Sequence, residues 1–351
     1  MTVQAKPYNH PSAWRGPDMA ARGDWTVRLD EQDVAELEEA MEAVKAAGIG
    51  IPELKKEHVS VPRVAQKMAQ VRQMLEDGCG FALVRGLSGD RYRKADAALL
   101  YWIIGTQIGK AYAQNAHGDM LGHVRDLGAD YQTNSKARGY QTRMHLPFHA
   151  DSTDVVGLLC LNKSKSGGAS RIVSSTALYN EMLARRPDLW ALMCETFCLD
   201  RRGEEPAGQK PYYTSPCFQT YEGRVFVRYN RTYVESAQRF DGVPQLTAAH
   251  REAFDLMDAL CNDPAFYLDM EFEPGDMQFV SNYTVLHSRA AYEDWPEPER
   301  KRHLLRLWLN TPGFARLPPS YADRSGDMVA WQKHPRTPVF DLSEIEAELA
   351  H

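Results

Sequence analysis

The segment Pro147-Phe148-His149-Ala150-Asp151 places a histidine and an aspartate two positions apart, and the apolar run Val155-Val156-Gly157-Leu158-Leu159-Cys160-Leu161 follows at once. Side chains alternate between the faces of an extended strand, so His149 and Asp151 are expected to point the same way. An imidazole beside a carboxylate makes two-thirds of a facial two-histidine, one-carboxylate site, the set that suits non-haem iron. By itself the pair reads more readily as a hydrogen-bonded couple lining a loop than as a metal site.

Eleven histidines are available for the third position. His10, His334 and His351 fall in polar terminal regions, and His58 and His250 sit beside helix starts. His287 follows a strand-like run, in Ser281-Asn282-Tyr283-Thr284-Val285-Leu286-His287-Ser288-Arg289. A ligand arriving from a distant strand is what a barrel-like sheet would provide. His145 lies four positions before His149, but Pro147 between them disfavours a helical zinc pair, and no glutamate stands in the general-base position. His145 is therefore read as lining the pocket.

Arg302-His303-Leu304-Leu305-Arg306-Leu307-Trp308-Leu309 reads as a strand with Arg302, Leu304, Arg306 and Trp308 on one face. Arginines within a core strand need anionic partners, and a guanidinium fork matches a carboxylate in bidentate fashion. Gln114 and Asn115, with Arg228, Tyr229 and Arg231, are weaker candidates for the wall of a polar or charged substrate site.

Helices and strands to carry these residues are legible along the chain. Residues 1–25 read as an arm packed on the surface. Asp30 starts a helix with the stripe Val34, Leu37, Met41 and Val44, ended by Gly48. A second helix follows Pro62, a strand spans 81–84, and a third helix spans 95–104. Residues 177–192 are expected as one helix, and 201–216 as a polar connection. Glu222-Gly223 marks a hairpin, and Thr247 caps a helix to Cys261. Strands follow at 267–272, 277–280 and 303–309, with Pro274-Gly275-Asp276 as a turn. A Pro-rich tail ends in a short acidic helix. Helices come first and strands dominate later, which predicts a mainly β architecture with flanking helices (α+β) around an antiparallel jelly-roll core, and argues against a doubly wound parallel sheet.

Composition narrows the function classes. The net charge of −6, from 41 basic and 47 acidic residues well mixed, provides no footprint for nucleic acid and no polybasic membrane anchor. No apolar run reaches the ~18 residues of a spanning helix, and residues 1–11 lack a signal-peptide core. The six cysteines show no paired zinc spacing. These features predict a reduced, cytoplasmic protein acting on a small molecule, with self-association left open.

The ordered set His149-x-Asp151, Gly167-Gly168-x-Ser170, Pro274-Gly275-Asp276, His287 and Arg302-x-x-x-Arg306 resembles the TauD/TfdA family of Fe(II)/2-oxoglutarate-dependent dioxygenases, over residues 80–310. The resemblance implies a double-stranded β-helix, a cupin-like jelly roll. It implies that His149, Asp151 and His287 ligate Fe(II), with 2-oxoglutarate and O2 taking the remaining positions. It implies that Arg302 pairs with the distal carboxylate of 2-oxoglutarate. Ser170 stands where the family usually has a threonine on that same carboxylate, and Arg306 matches a second arginine near a substrate or co-substrate carboxylate. The carboxylate at Asp151 argues against halogenation, because family halogenases have a small residue there.

The chain is accordingly expected to be a single oxygenase domain, 1–351. It would comprise a helical arm over 1–79, a core over 80–310 with a helical insertion over 177–262, and a tail over 311–351. The expected activity is oxidation, most simply hydroxylation, of a small polar substrate such as an amino acid or another small carboxylate, with release of succinate and CO2. Desaturation or ring closure by the same chemistry is the alternative. A non-catalytic cupin-like metal-binding protein is the alternative of another class, and Arg302 and Ser170 count against it, since a structural metal needs no carboxylate clamp.

Overall fold

Eleven strands make two sheets at the centre of the structure, a computed structural model that describes residues 6–128, 138–314 and 316–340. In chain order they are β1 (Thr26–Arg28), β2 (Phe81–Arg85), β3 (Lys110–Ala111), β4 (Gly122–Val124), β5 (Leu146–His149), β6 (Val155–Asn162), β7 (Ser170–Ser174), β8 (Tyr267–Met270), β9 (Met277–Ser281), β10 (Val285–Arg289) and β11 (His303–Asn310). The larger sheet runs β1-β2-β9-β6-β11-β3, with β4 also paired to β11. The smaller runs β8-β7-β10-β5. Every pairing is antiparallel except β1 with β2.

Period-two alternation decides what lies between the sheets. In the smaller sheet, Ile172, Leu268 and Met270 join one apolar cluster with Leu159, Phe279 and Leu305 of the larger. The next residues along, Val173 and Leu286, join a second cluster with Leu178, Met182, Phe254 and Met257. These come from the helices Ser175–Arg185 and Ala248–Cys261, which cover the smaller sheet's outer face. Ser170, His287 and Arg289 share the parity of Ile172 in the paired register and so face inward. The Ser170 hydroxyl donates to Gln278 Oε1 of β9 at 3.2 Å, spanning from one sheet to the other.

Helices cover the larger sheet as well. Asp30 and Asp33 form a reciprocal capping box at the start of Glu31–Ala46, and the expected stripe is buried. Lys94–Ile108 is apolar all round because it is covered on all sides, against Glu31–Ala46, Pro62–Glu76 and strands β6 and β11. The hairpin Phe218–Tyr221 with Arg224–Val227 forms as expected, Glu222 and Gly223 taking φ of 48° and 79°.

Four expectations change. The helix expected over 177–192 is two, Ser175–Arg185 and Pro187–Met193, because Pro187 has no N–H to continue the first and clashes with its last turn. The connection 201–216 contains the strand Tyr212–Pro216, paired with Thr196–Asp200. The N-terminal arm is not a surface strap: Trp14 and Met19 are core residues, and Thr26–Arg28 adds a strand to the sheet. In the tail, the helix Ala322–Trp331 buries Met328 and Trp331 in the same core. The acidic helix expected at the C-terminus falls outside the described residues. The result is a mixed α+β structure, and no helix among the described residues is long and apolar enough to cross a membrane.

Gly157 lies in the middle of β6, paired to Phe279 on one side and Leu307 on the other. A Cβ there would stand 2.4 Å from the Tyr101 hydroxyl and 2.8 Å from Phe279 Cε1, so the glycine lets the Lys94–Ile108 helix close on the sheet. Gly157→Ala is expected to destabilise by about 1–3 kcal/mol through overpacking. The change is read as a lower urea midpoint, against Gly23→Ala as a control where a Cβ meets nothing within 4 Å.

Candidate metal centre

Antiparallel pairing of β5 with β10 sets His149 directly opposite His287. Their ring centroids are 4.3 Å apart. His149 Nδ1 lies 2.9 Å from the Pro147 carbonyl. A carbonyl only accepts, so Nδ1 carries the proton and Nε2 keeps its lone pair. That Nε2 is 3.9 Å from Asp151 Oδ1, and His287 Nε2 is 4.0 Å from Asp151 Oδ2.

Asp151 is not on the strand. β5 ends at His149, and the chain leaves the smaller sheet when Ala150 N–H donates to the Tyr229 carbonyl. Asp151 is held instead from three directions. Its N–H donates to Asn282 Oδ1 at 2.9 Å, Trp308 Nε1 donates to its Oδ2 at 3.0 Å, and Arg306 Nη1 lies 3.6 Å from Oδ2. Arg306 is itself fixed, donating from Nε to Gln114 Oε1 at 2.7 Å, while Gln114 Nε2 donates to the Arg306 carbonyl at 2.7 Å.

One ligand atom from each of His149, Asp151 and His287 falls within a sphere of mutual distances under 4.8 Å. Burial, followed by the neighbouring His149, pushes His287 down to about 3. Burial lowers His149 too, against the opposing pull of Asp151. Burial would raise Asp151, but Arg306, the two histidines and the Trp308 N–H outweigh it and keep the group below its ordinary value. Two neutral imidazoles and one carboxylate are the protonation states a divalent metal requires. The residues fit such an ion, and the Nδ1 bond of His149 orients its ring as metal-bound histidines are oriented.

His149 and Asp151 open onto a cavity of about 280 Å³, whose walls include Gln114, Tyr140, Arg306 and Trp308 near the triad and Arg138 and Arg324 farther off. Gln114 lines this cavity with its side-chain amide bonded to Arg306. Arg231 also lines it, with its guanidinium engaged by Glu235, Asp255 and Asp258. The remaining expected wall residues are elsewhere. Asn115 caps a turn, accepting from His117 and Asp119 N–H. Tyr229 is buried with its hydroxyl on Asp258 at 2.6 Å, and Arg228 stacks 3.8 Å from the Tyr321 ring; neither reaches the cavity. His145 is exposed. The reason is a bulge: His149 pairs with His287 but Leu146 with Arg289, three residues against two, so the alternation inverts and Leu146 takes the inward position.

Arg302 and Ser170 are 5% and 6% exposed and lie at the end of the core closed by the Gly167-Gly168 turn. Arg302 Nη2 reaches the Gly168 carbonyl at a long 3.4 Å. A second buried guanidinium, Arg289, shares the ring of Tyr292 with it, at 4.9 Å from the centroid against 5.2 Å for Arg302. Burial and Arg302 push Arg289 down to about 10. Asp154, the other carboxylate near the triad in sequence, is used elsewhere, accepting from Tyr283, Asn310 and Thr311. Asp276, expected to be only a turn residue, also makes an ion pair with Arg85 at 3.0 Å.

Asn282, Trp308 and Arg289 were not singled out by type. For Arg289 a signal existed, since it stands two positions after His287 and must share its face. Trp308 shares a face with Arg306 by the same rule. Nothing local marks Asn282, whose partner is 131 residues away.

The family model described as "Taurine catabolism dioxygenase TauD, TfdA family" matches residues 33–308, a span that holds both histidines, the aspartate and both β11-side arginines. FR-33289 synthase of Streptomyces rubellomurinus (strain ATCC 31215) is 33% identical over 334 residues, covering 94% of this chain and 98% of that protein. The taurine hydroxylase-like protein SAT17 of Stachybotrys chartarum (strain CBS 109288 / IBT 7711) is 29% identical and covers 89% of this chain and 82% of its own length. An asparagine oxygenase solved with Fe(II), 2S,3S-3-hydroxyasparagine and succinate superposes with a TM-score of 0.61 at 17% identity, over 82% of this chain and 94% of that one. A two-histidine, one-carboxylate centre inside a span that matches throughout leaves one conclusion: the chain belongs to the TauD/TfdA family and is an Fe(II)- and 2-oxoglutarate-dependent dioxygenase.

Proposed function

We propose that His149, Asp151 and His287 hold the iron, that Arg302 and Ser170 take the distal carboxylate of 2-oxoglutarate, and that the enzyme hydroxylates a small polar molecule bound in the adjoining cavity. The observation that carries this reading is the meeting of the three ligand atoms, within 4.8 Å of one another, at the wall of a cavity of about 280 Å³. With iron and 2-oxoglutarate bound, such a site oxidises its substrate with O2 while the co-substrate is converted to succinate and CO2. The two sheets are the walls of a double-stranded β-helix spanning residues 80–310 within a single domain.

The protein's own groups have distinct tasks. Trp308 and Asn282 fix Asp151 so that its carboxylate stays turned to the histidines. Arg306, steadied by Gln114, holds a positive charge beside Asp151 at the cavity wall. Once the metal occupies Asp151, that charge is available to an anionic group on substrate or co-substrate. Arg324, on the same cavity wall, is buried and ion-paired with Asp327 at 3.0 Å, and only its Nε is left without a partner. The Arg306 charge, with the open Nε donor of Arg324 on the cavity wall, favours an amino acid or another small carboxylate as substrate.

A screen of small amino acids and carboxylates for stimulated succinate release tests the reaction. Hydroxylation adds one oxygen to the product mass, whereas a loss of two hydrogens would replace this reading with desaturation or ring closure. Absence of stimulation by every such compound would overturn the substrate class.

His149→Ala and His287→Ala are each expected to keep the wild-type circular dichroism and to release no succinate. Undiminished turnover in either would mean that the wrong ligand was chosen. Trp308→Phe keeps an aromatic wall but removes the donor to Asp151. Its affinity for Fe(II), measured anaerobically by competition with a chelator, is expected to fall about 10–100-fold.

A further inference from the structure

Arg289 and Arg302 are each 5% exposed. Burying a guanidinium is tolerated when its N–H groups and its charge are matched. Here neither is. Arg289 Nη2 donates to the Met144 carbonyl, while its Nε and Nη1 have no partner. Arg302 Nη2 makes only the long bond to Gly168, and Nη1 has none. Among the described residues no carboxylate pairs with either side chain. Asp294 comes nearest to doing so, but its Oδ1 accepts from the Arg302 backbone N–H at 2.7 Å and its Oδ2 is left buried and unbonded. The Tyr292 ring lies within 5.2 Å of both guanidiniums and neutralises neither.

Position supplies the rest of the argument. Arg289 stands opposite Ser170 in the β10–β7 pairing. It is one repeat along the same face from His287, about 7 Å of strand. The side chain is thus on the face that carries the metal ligand, and it shares the Tyr292 ring with Arg302. A ligand that spans from the triad to Arg302 would come within reach of the open N–H groups of Arg289. Asp294 acts on Arg302 and Asp126 on Arg289 only at a distance, and the N–H groups left open still lack an acceptor, which a carboxylate would supply.

We infer that Arg289 is a second arginine of the co-substrate site, sharing with Arg302 and Ser170 the distal carboxylate of 2-oxoglutarate. This rests on the assignment of Arg302 made above. Arg289 then contributes to selecting a dicarboxylic over a monocarboxylic 2-oxo acid, and its pairing with Ser170 sets how far from His287 that carboxylate is held.

The test is anaerobic calorimetric titration of the Fe(II)-loaded enzyme with 2-oxoglutarate and with 2-oxopentanoate, which has a methyl group in place of the distal carboxylate. Arg289→Met is expected to weaken 2-oxoglutarate binding by about 10–100-fold, as loss of a charged hydrogen bond does, and to leave 2-oxopentanoate binding unchanged. Arg289→Lys, which keeps the charge but loses the fork, is expected to fall between, and it serves as the deciding variant if the methionine form does not fold. An unchanged preference for 2-oxoglutarate, or an equal loss of both ligands, would overturn the inference and leave Arg289 as a structural residue. Arg302→Met separates the two claims. If it keeps the preference, the Arg302 assignment fails; if it loses the preference while Arg289→Met does not, only the role of Arg289 fails.

Discussion

The centre depends on one register. β5 meets β10 so that His149 lies directly across from His287, and the two imidazoles face each other from adjacent strands. A shift of one residue would turn either ring to the opposite face, under the helices that cover the smaller sheet. The register is held from both sides, by the inward Ser170 and Ile172 against β10 and by Val173 and Leu286 beneath those helices. The bulge in β5 belongs to the same constraint. It ends the regular pairing just before the ligands, lets Leu146 face inward, and leaves His145 in solvent.

The third ligand obeys a different logic. Asp151 sits where the backbone has left the sheet, and its direction comes from side chains rather than from strand pairing. Asn282 belongs to the turn between β9 and β10, and Trp308 and Arg306 belong to β11 of the other sheet. The carboxylate therefore ties both sheets together at the metal position. A ligand held this way keeps its geometry only while the sheets keep theirs, which links packing faults such as a Cβ at Gly157 to the chemistry.

Charge is distributed along the same axis. Near the cavity, Arg306 has Asp151 as a partner; deeper in the core, Arg289 and Arg302 make no ion pair with a carboxylate among the described residues. Burying unpaired guanidiniums opposes folding, so this end of the core is less stable than an apolar one of the same volume would be. The arrangement makes sense as a site completed by an anionic ligand, whose binding adds to stability as well as to function.

Much of this was legible in the chain. The apolar stripes of the first helices, the Glu222-Gly223 hairpin and the strand alternation around Arg302 to Leu309 are local patterns, and local patterns survive into the structure because neighbours impose them. The types and order of His149, Asp151, His287, Arg302 and Arg306 were sufficient to indicate the metal and the co-substrate. What they could not indicate was facing and partnership. His145 has the right parity for the pocket and is turned away by a bulge, and Arg231 has the right charge and is neutralised by three acids. Asn115 spends its side chain on its own turn. Residue type and spacing determine which atoms can bind a metal or a carboxylate. Which of them remain free to do so was decided by the folded neighbourhood: nearby partners consume Asn115 and Arg231, while the groups that aim Asp151 come from more than a hundred residues away and meet it only once the sheets have closed on each other.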